Sequence, residues 1–83
     1  MYCVTIERSA AKSLARISEP WQSAIERALR SLANNPRPAG AKKLTGRQGW
    51  RIRVGDYRIL YEIHDRVLSV LVIDIGHRRE IYR

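Results

Sequence analysis

The chain has 83 residues, a length that fits one small domain spanning 1–83 and excludes a large cofactor-enclosing enzyme, because so short a chain buries only about 60–65% of its unfolded surface. Hydrophobic residues make up 45%, enough for a packed core and too many for a disordered basic tail. Lysine and arginine number 16 against 8 acids, a formal charge of +8, so a polyanionic partner is the first expectation.

That charge is uneven. Residues 1–36 carry Arg8, Lys12, Arg16, Arg27 and Arg30 against Glu7, Glu19 and Glu26, so residues 37–83 hold +6 of the +8. Most of the cations are arginines, whose planar fork pairs with phosphate where lysine offers a point charge. Cys3 is the single cysteine, which excludes an intrachain disulfide, and no metal-ligand motif or cofactor fingerprint occurs. No window approaches the ~20 apolar residues of a membrane span, and the N-terminus lacks a signal-peptide stretch, so a cytoplasmic location without a membrane partner is expected.

In chain order, Tyr2 to Ile6 is β-branched and apolar and predicts a strand. Ser9 is a candidate cap for a helix with Ala10, Leu14 and Ile17 at helical spacing. Ser18 is a second candidate cap with Pro20 in the first turn, opening a helix whose stripe is Trp21, Ile25, Ala28, Leu29 and Leu32. Asn34, Asn35 and Pro36 close it, and so short a link between helices predicts an antiparallel hairpin.

Residues 36–49, PRPAGAKKLTGRQG, show little periodicity and predict a long basic loop. The period then switches to two. Trp50, Ile52 and Val54 alternate with Arg51 and Arg53, Gly55-Asp56 supplies a turn, and Tyr57, Ile59, Tyr61 and Ile63 alternate with Arg58, Leu60 and Glu62. His64-Asp65 is the next turn, with two or three residues both open, and Val67 to Ile75 is apolar on both faces except for Ser69 and Asp74, as a central strand should be. The expected fold is α+β: an N-terminal strand, an α-helical hairpin, then an antiparallel meander ending in GHRREIYR, with the helices on one face of a small sheet.

A Gly55-Asp56 turn sets Arg53 opposite Arg58, with Arg51 two residues along on the same face. Like charges facing one another destabilise a sheet, so a fold gains nothing from this cluster unless an anion neutralises it. A strand arginine on its own is usually only solvated; three converging point to function. Gly76, His77 and Arg78 follow the last strand and can reach the same patch, whereas Arg79 and Arg83 read as a frayed terminus. Tyr82 either anchors the chain on the core or serves the site. Trp21, Trp50, Tyr57 and Tyr61 fall on inward faces, which favours core over base-stacking and points to recognition through phosphate and sugar.

The run LTGRQGWRIRVGDYRILYEI, with VIDIGHRREIYR and the hairpin ending in NNPRPAGAKKL, resembles the RelE branch of the RelE/ParE toxin superfamily over nearly the whole chain. The resemblance implies a toxin of a bacterial or archaeal type II toxin–antitoxin pair: an endoribonuclease that enters the A site of the 70S ribosome and cuts messenger RNA. It implies cleavage without metal or other cofactor, by attack of a ribose 2′-OH on the adjacent phosphate. The family's site residues match Arg51, Arg53, Arg58, Arg78 and Tyr82 here, and some relatives carry lysine in place of Arg51 and Arg53. Arginine is a poor proton acceptor, so Tyr82 or His77, whose imidazole type titrates near neutrality, is the candidate for proton transfer. Lys42, Lys43 and Arg47 are read as contacts to ribosomal RNA or as solvated surface. A RelB-like antitoxin, acidic and partly disordered, is the expected protein partner. Two rivals share the pattern: a ParE-like inhibitor of DNA gyrase, and a basic nucleic-acid-binding module without catalysis.

Overall fold

The structure, a computed structural model, describes residues 1–77. Two helices pack on one face of a five-stranded sheet. The elements run β1 (Cys3–Ile6), α1 (Arg8–Ala15), α2 (Trp21–Ser31), β2 (Lys42–Lys43), β3 (Trp50–Val54), β4 (Tyr57–His64) and β5 (Ser69–His77), with a 3₁₀ turn at Asp65–Val67 before the last strand. The sheet order is β1-β5-β4-β3-β2.

The α+β expectation holds, with additions that the linear pattern hides. β1 lies parallel to β5, pairing Cys3 with Ser69 and Ile6 with Val72, so β5 is central as expected while one of its neighbours comes from the far end of the chain. The basic loop is partly a strand: Lys42 faces Arg51 and Lys43 faces Trp50 across an antiparallel ladder. Two residues are too few to show a period, so only their pairing reveals β2. The last strand begins later than Val67. Val67 and Leu68 are exposed in the β4–β5 connection, where Leu68 turns the chain with φ +50 and its carbonyl accepts the Cys3 N–H at 2.8 Å.

Helix starts also differ from the serine caps. α1 opens at Glu7, with Ser9 already inside the helix, and no side chain caps it. At α2 the Ser18 carbonyl receives the Trp21 and Gln22 N–H groups, while the Glu19 carboxylate takes the cap role, accepting the Ser23 N–H at 3.0 Å and the Ser23 hydroxyl at 2.7 Å. Those bonds hold the Glu19 carboxyl below its ordinary range. Gln22 on α2 donates to the Leu14 carbonyl at 3.1 Å, tying the start of α2 to the end of α1.

The core is the layer between helices and sheet: Ala10 and Leu14 from α1, Ile25 and Leu29 from α2, Leu32 after it, and Ile59, Tyr61, Val70, Val72 and Ile75 from β4 and β5. Trp21 departs from the inward reading. It is 40% exposed and lies over the β3–β4 turn, its ring 6.2 Å from that of Tyr57. Tyr61 is fully buried and donates its hydroxyl to the Pro36 carbonyl at 2.7 Å, anchoring the segment after α2 to the sheet. Burial pushes that hydroxyl's pKa up to about 12. Nearby, Arg37 sits over the Trp50 ring at 5.3 Å and pairs with Asp65 at 2.9 Å, and Tyr2 donates to the same carboxylate at 2.6 Å. Arg37, counted in the sequence among the basic loop residues, thus has a structural task.

Candidate nucleic-acid interface

The strand period sends alternate side chains of β3 to opposite faces. Trp50, Ile52 and Val54 pack against the core, which leaves Arg51 and Arg53 on the face away from the helices. Gly55, at φ +59, sits first in the two-residue β3–β4 turn, as II′-type hairpins require. The register that follows is the expected one: Val54 faces Tyr57, and Arg53 faces Arg58. Arg51 faces Leu60 on β4 and Lys42 on β2.

Two rows of side chains therefore cross the outer face. One reads Lys42, Arg51, Leu60, Asp74; the other reads Arg53, Arg58, Gly76. A small hollow of about 90 Å³ opens among them, lined by Gly40, Lys42, Arg51, Ile52, Arg53 and Arg58. The Arg53 Nε donates to the Gly55 carbonyl at 3.2 Å, which orients its guanidinium along the turn. Paired guanidinium forks around such a hollow suit an oxyanion with several acceptor oxygens, such as a phosphodiester.

Lys42 joins this face, which its neighbour Lys43 does not: adjacent strand residues point to opposite sides. Arg47 lies in the β2–β3 connection, outside the paired residues that form the two rows. His77 lies on the opposite face. It pairs with Tyr57, whose side chain packs on the core, and the two rings meet edge to face at 5.6 Å. It borders a cavity of about 350 Å³ lined also by Ser13, Arg16, Ile17 and Ile75. The sheet thus lies between the His77 ring and the Arg58 side chain. Arg78 and Tyr82 lie outside the described residues. Asp74, by contrast, is on the arginine face, marked in the sequence only as a polar break in an apolar strand.

Among the described residues no three His, Cys, Asp or Glu side chains gather as a metal site would need, and no helix is long and apolar enough to cross a membrane.

A family model described as "ParE toxin of type II toxin-antitoxin system, parDE" matches residues 4–82. The chain belongs to the RelE/ParE family of toxins. Toxin RelE of Mycobacterium tuberculosis is 36% identical over 84 residues, covering 99% of this chain and 87% of the relative. Among solved structures, the RelBE2 toxin–antitoxin complex of Mycobacterium tuberculosis matches with a TM-score of 0.82 and 25% identity, over 93% of this chain and 98% of that one. The intact RelBE complex of Escherichia coli shares the fold at a TM-score of 0.81 and 22% identity, over 93% and 96% of the two chains. In this RelE/ParE chain the arginine rows sit on the face that the helices leave open.

Proposed function

We propose that this toxin is a ribosome-dependent endoribonuclease that cuts messenger RNA in the ribosomal A site and so stops translation. The observation that carries the reading is the facing pair Arg53 and Arg58, with Arg51 and Lys42 beside them. Guanidinium forks and an ammonium gathered on one sheet face offer the charge-assisted donors that a phosphodiester accepts.

In this reading the RNA 2′-oxygen attacks the adjacent phosphorus in line, and negative charge builds on a pentacoordinate phosphate. Arg51, Arg53 and Arg58 stabilise that charge where it develops, with donors already held in place by the sheet. Arg78 and Tyr82 complete the family's set by resemblance, Arg78 as a further phosphate donor and Tyr82 as a substrate contact. The reaction as read needs no metal or other cofactor. The ribosome supplies orientation: fixing the scissile nucleotide converts a poor encounter into a near-unimolecular step. Lys42, Lys43 and Arg47 contact ribosomal RNA. The two solved relatives named above are complexes with a RelB antitoxin, and a cognate RelB-like partner here neutralises the toxin by masking the basic face.

Mapping messenger RNA 5′ ends on translating ribosomes tests the reading. Cuts in register with codons are expected with wild-type protein and lost with Arg58→Ala and Tyr82→Ala. The ParE name of the matching family model favours a second reading, inhibition of DNA gyrase. Intact messenger RNA accompanied by DNA damage would establish that reading and sink the first, and salt-sensitive RNA binding without cuts would leave a non-catalytic binder.

A further inference from the structure

Among the described residues, the outer face carries two carboxylates, Asp74 on β5 and Glu62 on β4. Asp74 pairs with Leu60 across β4 and β5, and Gly76 pairs with Arg58, so Asp74 stands one strand across and two residues along from Arg58. Diagonal neighbours at that offset are about 7–8 Å apart, within reach of long side chains. Its orientation depends on a β-bulge. Leu60 faces Asp74 but Tyr61 faces Val72, which leaves Ile73 as an extra residue. The extra residue resets the alternation, so that Val72 and Ile75 are both buried while Asp74 keeps the arginine face.

Three acids of the fold are held by neighbours. Asp65 is gripped by Arg37 and Tyr2, Glu19 caps α2, and Glu62 binds His64 at 3.1 Å. Among the described residues, no salt bridge engages Asp74. Among the described residues, the charged residues that flank it in the sheet register are Arg58 and Glu62 on β4 and, beyond Leu60, Arg51 on β3; on the β1 side the chain runs into Glu7, whose N–H donates to the Val72 carbonyl at 2.9 Å.

We infer that Asp74 is the general base that accepts the 2′-hydroxyl proton in the cleavage proposed above, a role that rests on that reading. With the scissile phosphate on Arg53 and Arg58, the attacking 2′-hydroxyl belongs to the nucleotide joined to that phosphate, which reaches toward the neighbouring row. As the 2′-oxygen attacks, its proton passes to an Asp74 carboxylate oxygen and the O2′–P bond forms. The P–O5′ bond breaks, and the leaving O5′ takes a proton from solvent water. The hydroxide so formed recovers the proton from Asp74. The products are a 2′,3′-cyclic phosphate and a 5′-hydroxyl.

Single-turnover cleavage of ribosome-bound messenger RNA, followed across pH for wild type, Asp74→Asn and Asp74→Glu, tests the assignment, with antitoxin binding retained as the readout of folding. Asp74→Asn is expected to slow cleavage by about 100-fold or more at saturating ribosomes, the scale of a lost general base, and to abolish the rise of rate on the acid side of the profile. Asp74→Glu is expected to restore part of the rate and the acid limb. A counter-ion role predicts the reverse: Asp74→Asn binds RNA more tightly and cleaves like wild type, which overturns the inference and leaves the ribonuclease reading standing. An Asp74→Asn loss confined to RNA affinity, with the pH profile unchanged, overturns it equally. Wild-type protein that leaves the message intact overturns both.

Discussion

Arg53 and Arg58 face each other across a hairpin that the core would accept with other residues on its outer side. A direct like-charge pair destabilises by roughly 0.2–1 kcal/mol, and salt screens it. Arg53→Gln should therefore raise the thermal midpoint in low salt, with the gain shrinking as salt is added, while RNA affinity falls and loses part of its salt dependence. Parallel melting curves and RNA titrations over a salt series check this; a variant that melts earlier in low salt would show that other contacts of Arg53 outweigh the repulsion. Both arginines and their facing register were legible in the sequence, because strict alternation on either side of Gly55-Asp56 leaves one register that buries Val54 and Tyr57. His77 was not, since the side to which a strand's last residue points depends on its partner, here Tyr57.

At the scale of elements, the β3–β4 turn is locked from outside. A Cβ on Gly55 would lie 2.5 Å from Cζ3 of Trp21, and the residue's φ of +59 is itself unfavourable to side chains. Gly46 shares a positive φ, +75, but faces open space. Gly46→Ala should cost only the left-handed penalty of about 1–2 kcal/mol, whereas Gly55→Ala should cost that and displace Trp21 as well. Denaturant unfolding followed by tryptophan fluorescence separates the two, because the native signal should change only in Gly55→Ala. Equal costs with an unchanged native signal would rule out the Trp21 contact. The helices themselves were readable from their apolar stripes. Their caps were not: Glu19, rather than Ser18, reaches the Ser23 N–H, a choice set by loop geometry and not by residue type. β2 was hidden for a related reason, since Lys42 and Lys43 become a strand only by pairing with β3.

For the whole molecule, Arg37 works as a clasp. It joins the segment after α2 to Asp65 in the β4–β5 connection and to Trp50 on β3, while Tyr2 beside β1 donates to the same carboxylate. The Arg37 and Tyr2 hydrogen bonds hold the Asp65 carboxyl below its usual range. A depressed carboxylate contributes stability that is present above the unfolded value, near pH 4, and is lost as pH falls through the folded one. Arg37→Gln should thus lower stability at neutral pH and flatten the loss in acid. Denaturant midpoints measured from neutral to acid pH check it, and curves that stay parallel would mean that Asp65 is not the group responsible. The formal +8 adds a global repulsion, which a bound polyanion relieves across the same face that carries the arginines.

The sequence by itself determined the local periods: two helices, an arginine-bearing hairpin with its register, and an excess of cations suited to phosphate. These depend on spacing within a few residues, which the chain carries wherever it is folded. Tertiary structure decided what depends on distant partners. It set β1 beside β5, brought Lys42 into the arginine row, turned His77 to the helix side and, through one extra residue opposite β4, left Asp74 facing the arginines. A bulge changes the face of every side chain beyond it, and its position is set by which strands must bury Val72 and Ile75 together, a constraint that no local pattern contains.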